Sequence, residues 1–210
     1  MKGVDVMIIA FTGAGISKES GIDTFQEKPW IRERLTRSFA MFCPDEYRNV
    51  MRDFVDALSG KQPNDAHIAL AEYNIPVITM NVDTLHEQAG TKELIKLHGR
   101  LPTEEEIPIS DKLYNTPVLY GDAAPAYQEA YDMLEYLQKG DIFLVVGASQ
   151  YTTVSTILRM NAMAVGAEIV EIQDSAATKV REFLEAHKNK IENFQERKRK
   201  IDKEREAGDV

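Results

Sequence analysis

Runs of apolar residues, each followed by glycine or polar turn residues, recur along the chain. Runs of this kind are typical of strands that are buried on both faces of a parallel sheet. The predicted strands are residues 4–11, 76–80, 142–147 and 167–172, with shorter candidates at 93–97 and 118–120. Segments with helical spacing lie between them, at 45–58, 64–73, 126–139, 153–164 and 176–187. Strands that alternate with helices predict an α/β fold with a doubly wound parallel sheet, in which ligands bind at the carboxyl ends of the strands.

Turn and cap residues support several of these boundaries. Asn64 and Asp45 are predicted to cap the helices that begin beside them, since both can accept a hydrogen bond from a free backbone N–H. Asp45 follows Pro44, which is typical of a helix start. Gly140 is predicted to end the helix at 126–139.

The chain is predicted to form one main domain, residues 1–187, with a helical module at 27–58 and a charged tail at 188–210. The module shows no strand pattern, so it is expected as an insertion between the first and second strands of the sheet. The tail combines dense alternating charge with thinly spaced apolar residues, which is typical of a solvated helix. The alternative is a contact with a partner or an oligomer contact through the tail.

Charge and cysteine content narrow the classes of function. The net charge of −9 at pH 7 argues against a broad nucleic-acid surface. The single cysteine, Cys43, excludes an internal disulfide and a zinc site made of cysteines, and it favours a reduced, cytoplasmic setting. No apolar run is long enough to span a membrane, and the N-terminus lacks the cleavage pattern of a signal peptide, so no membrane partner is expected.

A glycine-rich turn at residues 13–17 follows the first predicted strand. Gly13 and Gly15 let the backbone turn sharply and approach a ligand closely. Ser17 is predicted to cap a helix whose free N–H groups bind phosphate. Lys18 stands where the usual dinucleotide-binding fingerprint has its third glycine, so an ordinary tight turn stays an alternative at this point.

Polar side chains follow two further strands at the same edge of the predicted sheet. Asn81 and Asp83 come after the strand at 76–80, and His98 comes after the strand at 93–97. An Asn-x-Asp pair is commonly a simple turn, because both side chains bond their own backbone. A single histidine is more often structural than catalytic, although imidazole titrates near neutral pH and is the usual general base.

The order and spacing of these motifs resemble those of the sirtuin family, the NAD-dependent protein deacylases. The resemblance covers about residues 4–187. The matching motifs are Gly13-Ala14-Gly15-Ile16-Ser17 with Ser20-Gly21-Ile22 and Phe25, Pro63-Asn64-x-Ala66-His67-x-Ala69-Leu70, Asn81-Val82-Asp83-x-Leu85-His86 with Ala89-Gly90, His98-Gly99, Val118-x-Tyr120-Gly121-Asp122 with Pro125, and Val145-Val146-Gly147-x-Ser149. Several ordered motifs are far more specific than any one of them.

The resemblance implies a Rossmann-like, sirtuin-like fold, NAD as the cofactor, and a protein or peptide with an acylated lysine as the substrate. It implies that Asn81 and Asp83 line the nicotinamide pocket, and that His98 takes a proton from a ribose hydroxyl, which then attacks the acyl carbon. The residues expected to bind NAD are Gly13, Ala14, Gly15, Ile16, Ser20, Phe25, Gln26, Met80, Asn81, Asp83, Gly147, Ala148, Ser149 and Gln173. Those expected to bind the acyl-lysine are Val118, Tyr120 and Gly121, whereas His67 and His86 are expected to make structural hydrogen bonds.

The chain also departs from the family pattern. The family's zinc ribbon of four cysteines is absent, because residues 100–115 contain no cysteine, so no metal site is expected. Gln26 replaces an arginine near the ribose and phosphates, and an amide lacks the charge of a guanidinium. Met80, Thr84 and Gln173 replace a glutamine, a glycine and an asparagine. Two alternatives therefore stay open: an NAD hydrolase or ADP-ribosyltransferase on the same scaffold, and a protein that binds NAD or ADP-ribose without turnover.

Overall fold

A five-stranded parallel sheet forms the centre of the computed structural model, which describes residues 5–23 and 31–208. The strands are β1 (Ile8–Thr12), β2 (Val77–Thr79), β3 (Leu94–Lys96), β4 (Ile142–Val146) and β5 (Glu168–Ile172). Their order across the sheet is β3-β2-β1-β4-β5, so the chain starts in the middle and winds outward in both directions. The predicted doubly wound α/β fold is confirmed.

Helices cover both faces of this sheet and build the module that precedes β2. They are α1 (Ile31–Arg34), α2 (Arg37–Phe42), α3 (Pro44–Leu58), α4 (Asp65–Glu72), α5 (Leu85–Ala89), α6 (Ala126–Leu134), α7 (Thr153–Ala164), α8 (Ala176–His187) and α9 (Phe194–Gly208), with 3-10 helices at Ala14–Ser20 and Ile107–Lys112. The predicted helices at 153–164 and 176–187 are confirmed, as is the cap of α4, where Asn64 accepts the Ala66 N–H at 3.0 Å. None of the helices within the described ranges has both the length and the apolar composition needed to cross a bilayer.

Two apolar cores, one on each face of the sheet, fix the positions of the helices. Ile9 and Phe11 of β1 pack with α6 and α7, whereas Ile8 and Ala10 pack with α4 and α8. This division follows from strand geometry, because successive side chains point to opposite faces. A strand covered on both faces is apolar at nearly every position, which explains the apolar run at residues 6–11 of the sequence.

Three predictions about secondary structure are wrong, and they concern one strand, one helix end and one helix cap. Residues 118–120 form no regular strand, because Tyr120 makes only an isolated parallel bridge with Thr36. The helix predicted at 126–139 ends at Leu134, and the chain then continues in turns. Asp45 lies inside the first turn of α3, where Cys43 holds the N-cap position and the proline after it needs no N–H partner.

The helical module has an apolar core of its own, separate from the two cores of the sheet. It consists of Ala40, Tyr47, Val50 and Met51, together with Leu119. The 3-10 helix Ile107–Lys112 lies in the segment where the sirtuin resemblance places the zinc ribbon, and Arg48 Nε donates to Asp111 Oδ1 across this contact at 2.7 Å. Across residues 5–23 and 31–208, no group of three or more His, Cys, Asp or Glu side chains is arranged to hold a metal ion.

The charged tail packs against the sheet domain. Phe194 at the start of α9 is buried and meets the Tyr136 ring edge-on, with 5.6 Å between centroids. Arg197 donates to the buried Asp141 carboxylate at 2.9 Å, and Asp141 also accepts the backbone N–H of Met7 at 2.9 Å. The expectation of a wholly solvated tail is therefore wrong, because the first turns of α9 complete a buried ion pair.

Candidate active site

The glycine turn after β1 packs directly against the turn after β4. A Cβ atom added at Gly15 would lie 2.6 Å from the Gly147 Cα, and one at Gly13 would lie 2.8 Å from the Ala148 Cα. The N–H groups of Gly13 and Gly15 donate to the Val146 and Gly147 carbonyls, each at 3.0 Å. The two glycines are thus required by backbone packing, and their own N–H groups are hydrogen-bonded within the protein.

Ser17 is buried inside the first 3-10 helix and does not cap it. Gly13 is the N-cap residue of this helix, and no side chain makes a capping hydrogen bond there. The Ser17 Oγ instead donates to Asp83 Oδ2 at 3.0 Å and accepts from Asn81 Nδ2 at 3.2 Å. The serine therefore joins the amide and the carboxylate that follow β2, which corrects its predicted role.

Asn81 and Asp83 are held in fixed orientations by this network and by backbone contacts. The Asn81 Nδ2 also donates to the Gly13 carbonyl at 3.2 Å, and Asp83 Oδ1 accepts the Leu85 N–H at 3.0 Å. Only 6% of Asn81 and 7% of Asp83 is exposed to solvent. Both donors of the amide are used, so Asn81 Oδ1 and the remaining lone pairs of Asp83 are left as acceptors.

A cleft of about 290 Å³ lies between the glycine turn and the helical module, with Asn81 and Asp83 in its wall. Its other lining residues are Ala14, Ser17, Gly21, Ile22, Asp23, Ile31, Phe54, Ala57, Leu58, Lys61, Val82 and Leu101. The site thus combines an apolar wall from the module with acceptor groups at the end of β2. His98 does not line this cleft, so the three predicted catalytic residues do not share it.

His98 is attached to the same loop through the Met80 carbonyl, which lies one residue before Asn81. His98 Nδ1 is 3.0 Å from Met80 O, and its Nε2 is 3.3 Å from the Tyr127 hydroxyl. A carbonyl oxygen can only accept, so Nδ1 carries the proton and Nε2 of the neutral ring is the acceptor. Burial lowers the pKa of His98 below its ordinary value, and the hydrogen bond to Met80 opposes this shift only in part.

His67 and His86 form a buried pair behind the cleft, with 4.8 Å between ring centroids. The Nδ1 of His67 is 3.1 Å from Asn64 Oδ1, and the Nε2 of His86 is 3.0 Å from Thr12 Oγ1. Burial lowers the pKa of His67 to about 4 and that of His86 well below its ordinary value, so both rings are neutral at neutral pH. They make structural hydrogen bonds, as predicted, behind Ser17 and Thr12.

The turn after β4 carries the residues predicted for the adenosine half of the cofactor. The Ala148 carbonyl accepts from Gln173 Nε2 at 3.2 Å and from Arg159 Nη2 at 3.0 Å. Ser149 Oγ accepts the Tyr151 N–H at 3.2 Å. The sheet therefore brings these residues to the same edge as the glycine turn, although Arg159, which orders this turn from α7, has no signal in the sequence.

The residues predicted to bind the acyl-lysine lie next to His98 and the helical module. The Val118 N–H donates to the His98 carbonyl at 3.0 Å, and the Tyr120 N–H donates to the Leu35 carbonyl at 2.9 Å. The Tyr120 carbonyl in turn accepts the Arg37 N–H at 2.9 Å, so one backbone edge of Tyr120 is paired with the module. Gly121 follows with a φ of 98°, a left-handed conformation that favours glycine.

The remaining predicted cofactor contacts lie around the 3-10 helix. Ser20 Oγ accepts from Asn64 Nδ2 at 3.1 Å, and Ile16 is buried with its carbonyl bonded to the same Nδ2 at 2.7 Å. Phe25 and Gln26 lie outside the described residues. Sequence reasoning missed Tyr127 and the role of Ser17, since both depend on contacts between segments that are distant along the chain.

Comparison with known proteins gives concordant results. The model of the Sir2 family matches residues 13–112. An NAD-dependent protein deacylase of Pyrococcus furiosus is 31% identical, with 85% of this chain and 86% of the relative covered. One of Bacteroides thetaiotaomicron is 32% identical, with 68% and 74% covered. Among solved structures, a mutant Sir2 homologue in complex with ADP-ribose superimposes with a TM-score of 0.72 at 25% identity, covering 86% of this chain and 91% of the other.

Proposed function

This chain belongs to the Sir2 family, and we propose that it is an NAD-dependent protein lysine deacylase. The enzyme removes the acyl group from a lysine of a protein or peptide, transfers it to ADP-ribose and releases nicotinamide. The observation that carries the proposal is the buried pair Asn81 and Asp83, fixed by Ser17 in the wall of a cleft at the carboxyl end of β2. Two further relatives are themselves described as NAD-dependent protein deacetylases.

The residues of the cleft fit the nicotinamide and ribose of NAD. Asn81 Oδ1 and Asp83 are acceptors in a mostly apolar surrounding, and the carboxamide N–H₂ and the ribose hydroxyls are donors that would satisfy them. Bound NAD supplies a cationic leaving group, nicotinamide, on the anomeric carbon of the ribose. Because both side chains are already oriented by hydrogen bonds to Ser17 and to the backbone, little reorganisation is needed when they bind NAD.

His98 is suited to act as the general base. The Met80 carbonyl holds the ring proton at Nδ1, so Nε2 is the nitrogen that can take the proton of a ribose hydroxyl once the Tyr127 hydroxyl, 3.3 Å away, has turned aside. The lowered pKa keeps the ring neutral at neutral pH, so that it can accept a proton. We propose that Val118, Tyr120 and Gly121, which adjoin His98 through the Val118–His98 backbone hydrogen bond, bind the acyl-lysine segment.

The proposal extends to a cytoplasmic enzyme that works without zinc. The single cysteine supports both points, since four thiolates are needed for the family's zinc ribbon and a reduced compartment suits a chain without disulfides. The net charge of −9 favours protein substrates over nucleic acid or an anionic membrane surface. An oligomer contact through the exposed second half of α9 stays a prediction, which sedimentation of the full chain and of a chain truncated after Arg199 would test.

The decisive experiment follows nicotinamide release with NAD alone and with NAD plus an acetyl-lysine peptide. We expect release only when the peptide is present, in equal amount to the deacetylated product. Release without peptide would instead identify an NAD hydrolase. This alternative is favoured by Gln26, which stands where the family pattern has an arginine. Saturable NAD binding without any release would identify a binding protein and contradict both enzyme functions.

A second experiment separates the role of His98 from its contribution to folding. His98→Ala should lower deacetylation by about a hundred-fold or more while it largely retains NAD affinity. His187→Ala is the matched control, because His187 lies at the end of α8, where its Nδ1 hydrogen-bonds to the Phe183 carbonyl at 2.8 Å and its ring packs on Phe183. If His98→Ala loses NAD affinity as strongly as activity, His98 binds the cofactor or supports the fold and is not the base.

A further inference from the structure

The hydroxyl of Tyr127 lies 3.3 Å from Nε2 of His98, the nitrogen that carries no proton in the neutral ring. The two rings are 6.3 Å apart between centroids and tilted by 47°. Nδ1 donates to the Met80 carbonyl, so both nitrogens of the histidine have a hydrogen-bond partner within the protein. The tyrosine therefore occupies the position at which the reacting hydroxyl must approach the base.

Tyr127 is placed there by the start of α6. Its N–H donates to the Ala124 carbonyl at 3.1 Å, which closes a turn at the start of the helix. Its ring packs on the core that β1 forms with α6 and α7. Burial raises the pKa of the Tyr127 hydroxyl, so this group keeps its proton in the pH range where His98 is neutral. The hydroxyl is consequently the donor in this hydrogen bond and Nε2 the acceptor.

We infer that Tyr127 is a positioning residue for the general base, an inference that rests on the proposed deacylase function. Together, Tyr127 and Met80 hold the imidazole at both nitrogens, so that the lone pair of Nε2 has a fixed direction before the substrates bind. Nothing in the motifs that relate this chain to its family involves residue 127, so the contact adds a residue to the site.

A hydroxyl can support the base in both of its protonation states, which an apolar ring cannot. In the proposed step the Tyr127 O–H turns away from Nε2, the O–H bond of the ribose hydroxyl breaks, and its proton moves to the freed lone pair of Nε2. The ribose oxygen keeps the electron pair with which it bonds to the acyl carbon, while the π electrons between that carbon and the lysine nitrogen move onto the nitrogen. The resulting imidazolium carries N–H groups on both nitrogens. Tyr127 then turns from donor to acceptor, and its oxygen accepts the new Nε2–H while Met80 O keeps the Nδ1–H.

The test compares Tyr127→Phe with Tyr131→Phe in the full-length enzyme. Each substitution removes one phenolic oxygen from α6, and the two positions are one helical turn apart. Tyr131 packs against the same core, and within residues 5–23 and 31–208 its hydroxyl has no hydrogen-bond partner. Tyr131→Phe therefore controls for the loss of a hydroxyl from this helix.

Two rates are measured for each variant. Steady-state deacetylation gives kcat and the KM for NAD and for peptide, and the exchange of labelled nicotinamide into NAD reports the earlier cleavage of the glycosidic bond, which does not require the base. We expect Tyr127→Phe to lower kcat about three- to ten-fold, the worth of one hydrogen bond, with exchange and both KM values within about two-fold of the wild type. Tyr131→Phe should match the wild type in every rate.

Two results would overturn the inference without touching the proposed function. One is a Tyr127→Phe enzyme that deacetylates as fast as Tyr131→Phe. The other is an equal loss of exchange and deacetylation in Tyr127→Phe, which would show that the hydroxyl serves folding or binding. A wild-type protein that shows no peptide-dependent nicotinamide release would instead overturn the deacylase function, and the inference with it.

Discussion

Arg37 of the helical module forms a bidentate ion pair with Asp122, at 2.8 Å from Nε and 2.6 Å from Nη2. The same guanidinium donates to the backbone carbonyls of Asp111 at 2.9 Å and Leu113 at 2.7 Å. One side chain therefore fastens α2 to both the 3-10 segment and the loop that leads from His98 to α6. The segment between His98 and Val118, where the family carries a zinc ribbon, is tied to the module through this arginine.

Breaking this pair should destabilise the protein strongly. The Arg37 side chain is 11% exposed and that of Asp122 is 2% exposed, so removing the arginine leaves a buried carboxylate without its partner. We expect Arg37→Met to lower the free energy of unfolding by about 3 kcal/mol, and Asp122→Asn to cost a similar amount. Urea unfolding of both single variants and of the double variant measures the coupling between the two residues.

Arg52→Met is the control for this experiment. Arg52 is exposed on α3, and among the residues that the structure describes it donates only to Asn49 Oδ1, at 3.0 Å. Its loss should change the free energy of unfolding by less than about 0.5 kcal/mol. Additive effects of Arg37→Met and Asp122→Asn in the double variant would contradict a stabilising role for the pair.

Gly147 should be far less tolerant of alanine than Gly140, although both have left-handed backbone conformations, with φ of 58° and 90°. A Cβ at Gly147 would lie 2.3 Å from the Ile16 backbone nitrogen, whereas one at Gly140 would meet nothing within 4 Å. Gly140→Ala should cost roughly 1–2 kcal/mol from backbone strain alone. Gly147→Ala should cost more and should also weaken NAD binding, because it pushes the glycine turn away from the cleft.

Thermal melting and calorimetric titration with NAD check both expectations. Equal losses of stability in the two variants would show that the close approach of the turns after β1 and β4 is unimportant. Retained NAD affinity in a folded Gly147→Ala protein would show that cofactor binding does not depend on this packing.

Acid should destabilise the protein through the buried His67. The unfolded chain binds a proton to this histidine below pH 6.5, whereas the native ring binds one only below about pH 4, so the unfolded state gains protons first as the pH falls. Stability is therefore lost between these two values, by about 2 kcal/mol at pH 5 for this residue. The buried His86 acts in the same direction.

Urea unfolding at pH 7.5 and pH 5 measures this loss. His67→Gln is expected to be less stable than the wild type at pH 7.5, because Ser17 and Asn64 lose a partner, but its stability should fall less on acidification. The test compares how much the free energy of unfolding falls between pH 7.5 and pH 5 in each protein, and not the absolute stabilities. Parallel curves for the two proteins would exclude His67 as a source of acid sensitivity.

Sequence patterns predicted most of the sheet domain because both of its cores repeat a simple rule. The central strands β1 and β4 are apolar at nearly every position and the helices at every third or fourth, so local periodicity reports the layer structure directly. The predictions failed where a partner from a distant segment decides the conformation. Tyr120 pairs with Leu35 and Arg37, and α9 is held by Asp141, and neither relation leaves a periodic signal.

The candidate site shows the same division. The motifs predicted that Asn81, Asp83 and His98 follow neighbouring strands at one edge of the sheet, and Asn81 and Asp83 share a cleft that His98 does not line. They did not predict that Ser17 links Asn81 to Asp83 by hydrogen bonds. Nor did they predict that Gly13 and Gly15 donate their N–H groups to carbonyls at the end of β4, or that the Tyr127 hydroxyl bonds to His98. These relations depend on side-chain directions and on the rotation of α6, which are set by packing.

The pH dependence of deacetylation should reveal the environment of His98. The base must be neutral to accept a proton, so the rate falls on the acid side as His98 becomes protonated. Burial lowers the pKa of His98, and the acid limb of kcat/KM, which reports the free enzyme, should therefore have its midpoint below the ordinary value of 6.5. Neither NAD nor acetyl-lysine titrates between pH 5 and 7, and circular dichroism at each pH separates this limb from the acid unfolding expected from His67. A midpoint at or above 6.5 would contradict this prediction. It would mean that burial does not control the pKa of His98 in the working enzyme, and that the hydrogen bond to Met80, which favours the protonated ring, has the larger effect.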